Sequence, residues 1–318
     1  MASIILSTGS YLPARILTNH DVSKMVETND EWIRERTGIT QRHIAAEDEF
    51  TSHMAIKAAE RALLACELNI KDIDGIVVAT STPDSTMPSV ATKVQTALGI
   101  THGAALDVAA ACTGFIYALS VAHGWIETGL CKNVIVIGAE CMSRIVDWND
   151  RATCILFGDG AGAVILSKSN DKQRGIQAIT LQADGKYGAL LDTNGGVSST
   201  KTAGFLHMEG QEVFRHGVEK MVSVTLETLA KANQSLDAVD WIVAHQANVR
   251  MINSIARQLK IPKEKAVITL DKHANTSAAS IPLALDSAVK DGRIARGNLL
   301  AMPALGAGLT WGCCVILW

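Results

Sequence analysis

Three strand-like segments recur in the same order at nearly one spacing, and this duplication constrains the chain more than any other feature. Val239-Asp240-Trp241-Ile242-Val243 resembles Ile73-Asp74-Gly75-Ile76-Val77, with an offset of 166 from Asp74 to Asp240. Asn298-Leu299-Leu300-Ala301-Met302 resembles Asn133-Val134-Ile135-Val136-Ile137, with an offset of 165 from Asn133 to Asn298. The closing Cys314-Val315-Ile316-Leu317 resembles Ala163-Val164-Ile165-Leu166. Internal self-similarity of this kind predicts two like halves related by a pseudo-twofold axis. They are expected at residues 1–170 and 171–318, joined in the polar stretch Lys168–Arg174.

Each half alternates short apolar runs with helical patterns. Strands are expected at Ile73–Thr80, Ala104–Val108, Asn133–Gly138 and Ala161–Leu166, and helices at Thr51–Cys66, Ser89–Leu98 and Gly114–Thr128. Such alternation indicates an α/β architecture with covered sheets. The stretch Asp192–Ala203, rich in Gly, Ser, Thr and Asn, reads as a surface insertion.

Hydrophobic residues make up 48% of the 318, enough for a sizeable core. The 29 basic and 32 acidic residues nearly cancel, which gives no global reason to expect nucleic acid as a partner. No apolar run approaches the roughly 18–20 residues of a membrane span. Met1-Ala2-Ser3-Ile4-Ile5-Leu6 lacks a basic flank and reads as a first strand, so a cytoplasmic protein is expected. Seven cysteines without Cys-x-x-Cys spacing argue against a disulfide framework or a zinc site. Gly158-Asp159-Gly160-Ala161-Gly162 precedes a strand instead of following one, so it is a poor dinucleotide motif.

Three residues stand where chemistry is placed in such folds. Cys112 follows the strand Ala104–Val108 through Ala109-Ala110-Ala111, and a helical pattern begins at once. A helix N-terminus stabilises a thiolate, so a lowered pKa is expected there. A small residue packing a tight turn explains the same position. His245 follows Trp241-Ile242-Val243-Ala244, just past a strand's C-terminal end; a histidine satisfied in the core is the alternative. Asn275 lies in a turn between strand and helix, at a spacing from Cys112 close to the repeat offset. It could equally cap that helix. If equivalent turns face each other across a pseudo-dyad, then nucleophile, imidazole and amide share one cleft, an arrangement suited to acyl transfer.

The residues around these positions closely resemble β-ketoacyl-acyl-carrier-protein synthase III, of the thiolase superfamily. They are Asp107–Phe115, His245-Gln246-Ala247-Asn248, Asn275–Ser280, Thr28–Ile33, Arg36-Thr37-Gly38-Ile39 and Gly308-Leu309-Thr310-Trp311-Gly312, spread over essentially the whole chain. The resemblance implies a thiolase-like fold of two duplicated halves in αβαβα layers. It implies the initiating condensation of type II fatty acid synthesis, in which a short acyl-CoA, such as acetyl-CoA, meets malonyl-acyl carrier protein. Cys112 would carry the acyl group, and His245 and Asn275 would hold the malonyl thioester during loss of CO2. The backbone amides of Cys112 and Gly306 would form the oxyanion hole.

It further implies that Thr28, Trp32, Arg36, Arg151 and Asn248 meet CoA, with the adenine between Trp32 and Arg151. Arg215, Arg250 and Arg257 would dock the acidic carrier protein. Met87 would limit the acyl pocket across a homodimer interface, where the family often has Phe. No metal and no cofactor are implied, acyl-CoA being a substrate. Ala304, Leu305 and Ala307 stand where the family commonly has Gly, Phe and Gly, and Ala274 replaces a frequent glycine. A related synthase of secondary metabolism and a catalytically silent acyl-CoA- or carrier-binding subunit are the alternatives.

Overall fold

The computed structural model describes residues 2–171 and 173–318. Met1, in the expected first strand, and Lys172, in the expected junction, lie outside the described residues.

Two sheets repeat one plan. The first has five strands in the order Ala2–Tyr11, Asp159–Ser169, Asn133–Cys141, Gly75–Ala79, Ala104–Val108. The second has Gly175–Ala183, Thr310–Leu317, Leu299–Gly306, Trp241–Ile242. Neighbouring strands match in direction position for position: antiparallel, antiparallel, then parallel. Where the first sheet adds a full parallel strand at Ala104–Val108, the second keeps an isolated parallel bridge between Ile242 and Ala266. The expected strand Val239–Val243 is accordingly short. Its ladder still runs on, because the N–H groups of Val243 and His245 donate to Ala301 and Pro303 carbonyls at 2.9 Å. That ladder delivers His245 to its place.

Five layers result. Gly75–Ala79 is buried along its whole length, as a strand covered on both faces must be. Its outer cover includes helix Thr51–Leu64, whose Ala55, Ala58, Ala59 and Ala62 form a buried stripe at helical spacing. Gly9 lets strand and helix meet closely, since a Cβ there would lie 2.3 Å from the Ala62 nitrogen. Between the sheets run helices Gly114–Glu127 and Ser280–Lys290. Phe115, Ile116 and Leu119 from one, and Ile281, Ala284 and Leu285 from the other, share a core with Val136, Leu166, Leu300 and Cys314. Helices Gly210–Lys231 and Val249–Gln258 cover the second sheet's outer face. Helix, sheet, helix, sheet, helix is the expected αβαβα order. Among the described residues no helix is long and apolar enough to cross a membrane.

Each middle helix starts from a tight turn, Ala111–Thr113 or Ser277–Ala279. Ala111 and Ser277, separated by the repeat offset of 166, both hold positive φ, at 46° and 50°. The repeat thus pairs Cys112 with Ala278, not with Asn275. Asn275 sits three residues earlier on its turn.

Candidate active site

The Cys112 turn is clamped from the other half. Thr113 Oγ1 donates to the Thr310 carbonyl at 3.0 Å, and Thr310 Oγ1 donates to the Ala110 carbonyl at 3.2 Å. Gly306, at the end of its strand, is pressed against this turn. A Cβ on it would lie 2.7 Å from the Cys112 nitrogen and 2.8 Å from the Thr113 nitrogen. Only glycine brings the two backbones together there.

The thiol departs from expectation. Cys112 is 7% exposed, and burial pushes its pKa up to about 12. A Ser277 hydrogen bond and its own N–H act in the opposite direction without prevailing. Loss of water around the sulfur outweighs the favourable end of the helix. The resting Cys112 side chain is a thiol.

His245 and Asn275 are both buried. Burial pushes His245 down to about 4, so the ring is neutral near pH 7. Its Nδ1 lies 2.7 Å from Ser280 Oγ, and that oxygen also accepts the Gln246 N–H at 3.3 Å. A Ser280 hydroxyl that donates to Nδ1 leaves the ring proton on Nε2. Asn275 is held from the first half, its N–H donating to the Leu156 carbonyl at 2.9 Å and its carbonyl accepting from Gly158 at 3.0 Å. Its side-chain oxygen accepts the Ser277 N–H at 2.9 Å. The amide NH2 is thus turned away from that contact.

Cys112, His245, Asn275 and Asn248 line one cavity of about 830 Å³. Leu305 and Ala307 flank Gly306 in its wall. The expected surface insertion is also part of that wall: Asp192, Gly196 and Val197 line the cavity, close to where strands Leu191–Thr193 and Leu206–Met208 pair.

The other expected residues fall into separate places. Arg36 and Arg151 stack on Trp32, their guanidinium carbons 4.5 and 5.1 Å from its ring centre. Arg151 also donates to the Glu27 carbonyl at 3.1 Å. The neighbouring Thr28 hydroxyl is buried with no hydrogen-bond partner among the described residues. Helix Asp30–Thr37, which bears Trp32, packs on Val249–Gln258, whose N-cap is Asn248. Met87 is 78% exposed and lies outside the cavity wall of its own chain, although Ser85 and Thr86 are in it. Arg215 is exposed and paired with Glu212 at 2.5 Å. Arg250 and Arg257 are exposed on helix Val249–Gln258. Among the described residues no cluster of His, Cys, Asp or Glu could hold a metal ion.

Sequence reasoning missed Ser277, Ser280 and Glu140. The two serines stood inside the Asn275–Ser280 stretch. Glu140 lies two residues beyond the expected end of its strand, which runs to Cys141.

Residues 106–185 match the family described as 3-oxoacyl-[acyl-carrier-protein (ACP)] synthase III, and residues 229–318 match its C-terminal family. The chain is 51% identical to a β-ketoacyl-[acyl-carrier-protein] synthase III of Bradyrhizobium sp. strain BTAi1, covering 99% of both chains. It is 52% identical to one from Rhodospirillum centenum, over 100% of this chain and 99% of that one. The crystal structure of 3-oxoacyl-[acyl-carrier-protein] synthase III from Aquifex aeolicus VF5 is similar with a TM-score of 0.95 and 46% identity. That match covers 99% of this chain and 100% of the other.

Proposed function

The chain belongs to the β-ketoacyl-acyl-carrier-protein synthase III family, and we propose that Cys112, His245 and Asn275 perform the family's chemistry in it. It is the initiating condensing enzyme of type II fatty acid synthesis, an acyltransferase of thiolase fold. The observation that carries the residue assignment is that all three groups, drawn from two halves, line one cavity.

In the first half-reaction the Cys112 sulfur attacks the carbonyl of a short acyl-CoA, acetyl-CoA being the simplest. The carbonyl oxygen gains charge against the N–H groups of Cys112 and Gly306, CoA departs, and an acyl thioester remains on Cys112. In the second, the thioester carbonyl of malonyl-acyl carrier protein sits between His245 Nε2–H and the Asn275 amide. Both are neutral donors aimed at an oxygen that becomes an enolate as CO2 leaves, so they lower that barrier. The enolate carbon then attacks the acyl group on Cys112 and releases 3-oxoacyl-acyl carrier protein. The reaction needs no cofactor beyond its substrates.

Trp32 and Arg151 would stack the CoA adenine, as indole and guanidinium faces both accept a base. Arg36, Thr28 with its free hydroxyl, and Asn248 would flank the same entrance. Arg215, Arg250 and Arg257 would receive the acidic carrier protein, whose approach a local basic patch favours. Met87, exposed in one chain, would close the acyl pocket of the second subunit of a homodimer. The halves would divide at 170/171, and the enzyme would work in the cytoplasm.

The test is release of CO2 from malonyl-acyl carrier protein in the presence of acetyl-CoA. Wild type should release CO2 and form the 3-oxoacyl product. His245→Ala and Asn275→Ala should lose most decarboxylation while still taking up the acyl group. Full decarboxylation in either variant would reject the donor pair.

A further inference from the structure

The proton of the Cys112 thiol needs a destination, and His245 does not offer one. Ser280 engages its Nδ1 at 2.7 Å, and burial, which pushes the ring down to about 4, makes it a weak base. Ser277 lines the same cavity as Cys112, on a turn packed against the Cys112 turn, and its hydroxyl donates to Glu140 Oε1 at 3.1 Å. Both Ser277 and Glu140 are buried.

We propose that Glu140, acting through Ser277, accepts the Cys112 proton during acyl transfer, stores it, and returns it when the condensed product leaves. The inference rests on Cys112 being the nucleophile.

The carboxyl is built as an acceptor. Ser81 N–H donates to it at 3.1 Å, Thr82 Oγ1 at 2.6 Å and Thr80 Oγ1 at 3.2 Å. Each threonine oxygen is itself filled by a backbone donor, Thr80 by Thr82 N–H at 3.1 Å and Thr82 by Cys141 N–H at 2.8 Å. Their protons therefore point at Glu140. Oε1 accepts from both Ser81 and Ser277. Burial works against the charge and pushes the carboxyl up to about 7. The group is thus poised to gain or lose a proton near neutrality.

Cys112 faces Glu140 across Ser277, and Cys141 adjoins it on its own strand. Opposite, on strand Asp159–Ser169, it meets Gly160. Asp159 is turned to Ala45 and Ser143, each N–H at 2.8 Å. The duplication explains the placement. Strands Asn133–Cys141 and Leu299–Gly306 hold equivalent places, and each ends against the turn of the other half. Gly306 brings bare backbone to Cys112, and Glu140, earlier by the repeat offset of 166, brings a carboxyl to Ser277.

The steps balance. As sulfur bonds to the acyl carbon, its proton moves to Ser277 Oγ and the serine proton moves to Glu140. CoA leaves as a thiolate and takes a proton from water at the cavity mouth. After CO2 departs and the new carbon–carbon bond forms, the bond between the carbonyl carbon and Cys112 breaks. The released thiolate takes back the proton from Glu140 through Ser277. One proton from water is consumed per turnover.

The test is the single-turnover rate of acetylation by acetyl-CoA, followed by intact mass from about pH 5 to about pH 9. Wild type should speed up through one ionisation near neutrality. Glu140→Gln and Ser277→Ala should each be roughly tenfold to hundredfold slower and lose that ionisation. Glu140→Asp should recover part of the rate together with the pH dependence. Ser277→Ala keeps the carboxyl's contacts with Thr80, Ser81 and Thr82, so it decides the matter alone if Glu140→Gln does not fold by circular dichroism. Rates within about threefold of wild type, or slower rates with an unchanged pH profile, overturn the proposal. Acetylation of Cys112→Ala as fast as wild type would instead defeat the nucleophile assignment, whatever Glu140 does.

Discussion

Gly306→Ala is a one-carbon change with a calculable consequence. The added Cβ would sit 2.7 Å from the Cys112 nitrogen and 3.0 Å from the Ala110 carbonyl oxygen, whereas ordinary contact begins at 3.4 Å. Strand and turn must part by roughly 0.7 Å, and no flexible side chain can absorb it because the nearest atoms are backbone. The Thr113 and Thr310 hydroxyl bonds tie the same surfaces together, so relief on one side strains the other. An N–H held about 2.9 Å from an oxyanion would end near 3.6 Å, past useful hydrogen-bond length. Loss of one such donor costs about a hundredfold to a thousandfold in rate, or ~3–4 kcal/mol of transition-state stabilisation. Overpacking should also cost about 1–3 kcal/mol of stability. Single-turnover acetylation of Cys112 and urea unfolding measure the two effects separately. If Gly306→Ala acetylates at the wild-type rate with an unchanged unfolding midpoint, the oxyanion geometry is wrong.

Three further outcomes follow from particular contacts. Ala274 holds φ 61° and ψ −161°, a region that suits glycine; Ala274→Gly should raise stability by about 1 kcal/mol in urea unfolding, and a loss would contradict that strain. Ser280→Ala removes the hydroxyl that fixes the His245 tautomer, so decarboxylation of malonyl-acyl carrier protein should fall about tenfold, more than Cys112 acetylation does. Equal slowing of both steps would count against the tautomer role. Acid should unfold the protein with a sign set by buried groups. His245 and His273 are pushed down to about 4 by burial, while an unfolded histidine takes its proton near about 6.5. The unfolded chain therefore binds more protons between those values, and stability falls as pH drops through them. Glu140, raised from 4.5 to about 7, has the opposite sign, since its folded carboxyl protonates first and offsets part of that loss. Urea midpoints of Glu140→Gln should fall more steeply with acid than those of wild type, and parallel curves would contradict the assignment.

The duplication was legible because each copy sets an aspartate, Asp74 or Asp240, just ahead of its apolar strand residues. Ile73–Val77 and Val239–Val243 could therefore be matched before any pairing was known. Length was not legible there, since the second copy keeps only Trp241–Ile242 in its ladder and its outer neighbour shrinks to a bridge at Ala266. Cys112 and His245 announced themselves by standing just past strands, and Asn275 by its turn ahead of a helix, although the strand expected before it is the short helix Leu270–His273. Their protonation states did not, because helix position argues for a thiolate and only packing reveals that the sulfur has lost its water. Glu140 was hidden for a related reason. A glutamate after Ile137-Gly138-Ala139 reads as the polar end of a strand, and its partner Ser277 stands 137 residues away in the chain. Asp192–Ala203 has a loop's composition whether it faces solvent or a cavity, so its part in the cavity wall could not be read locally.

The central claim is that one sulfur carries the acyl group. Mixing the protein with acetyl-CoA, digesting it, and mapping the modified peptide by mass spectrometry tests this directly. The account predicts a single acetyl group on Cys112, discharged when malonyl-acyl carrier protein is added. An acetyl group found on another residue, or one that malonyl-acyl carrier protein leaves in place, would contradict it.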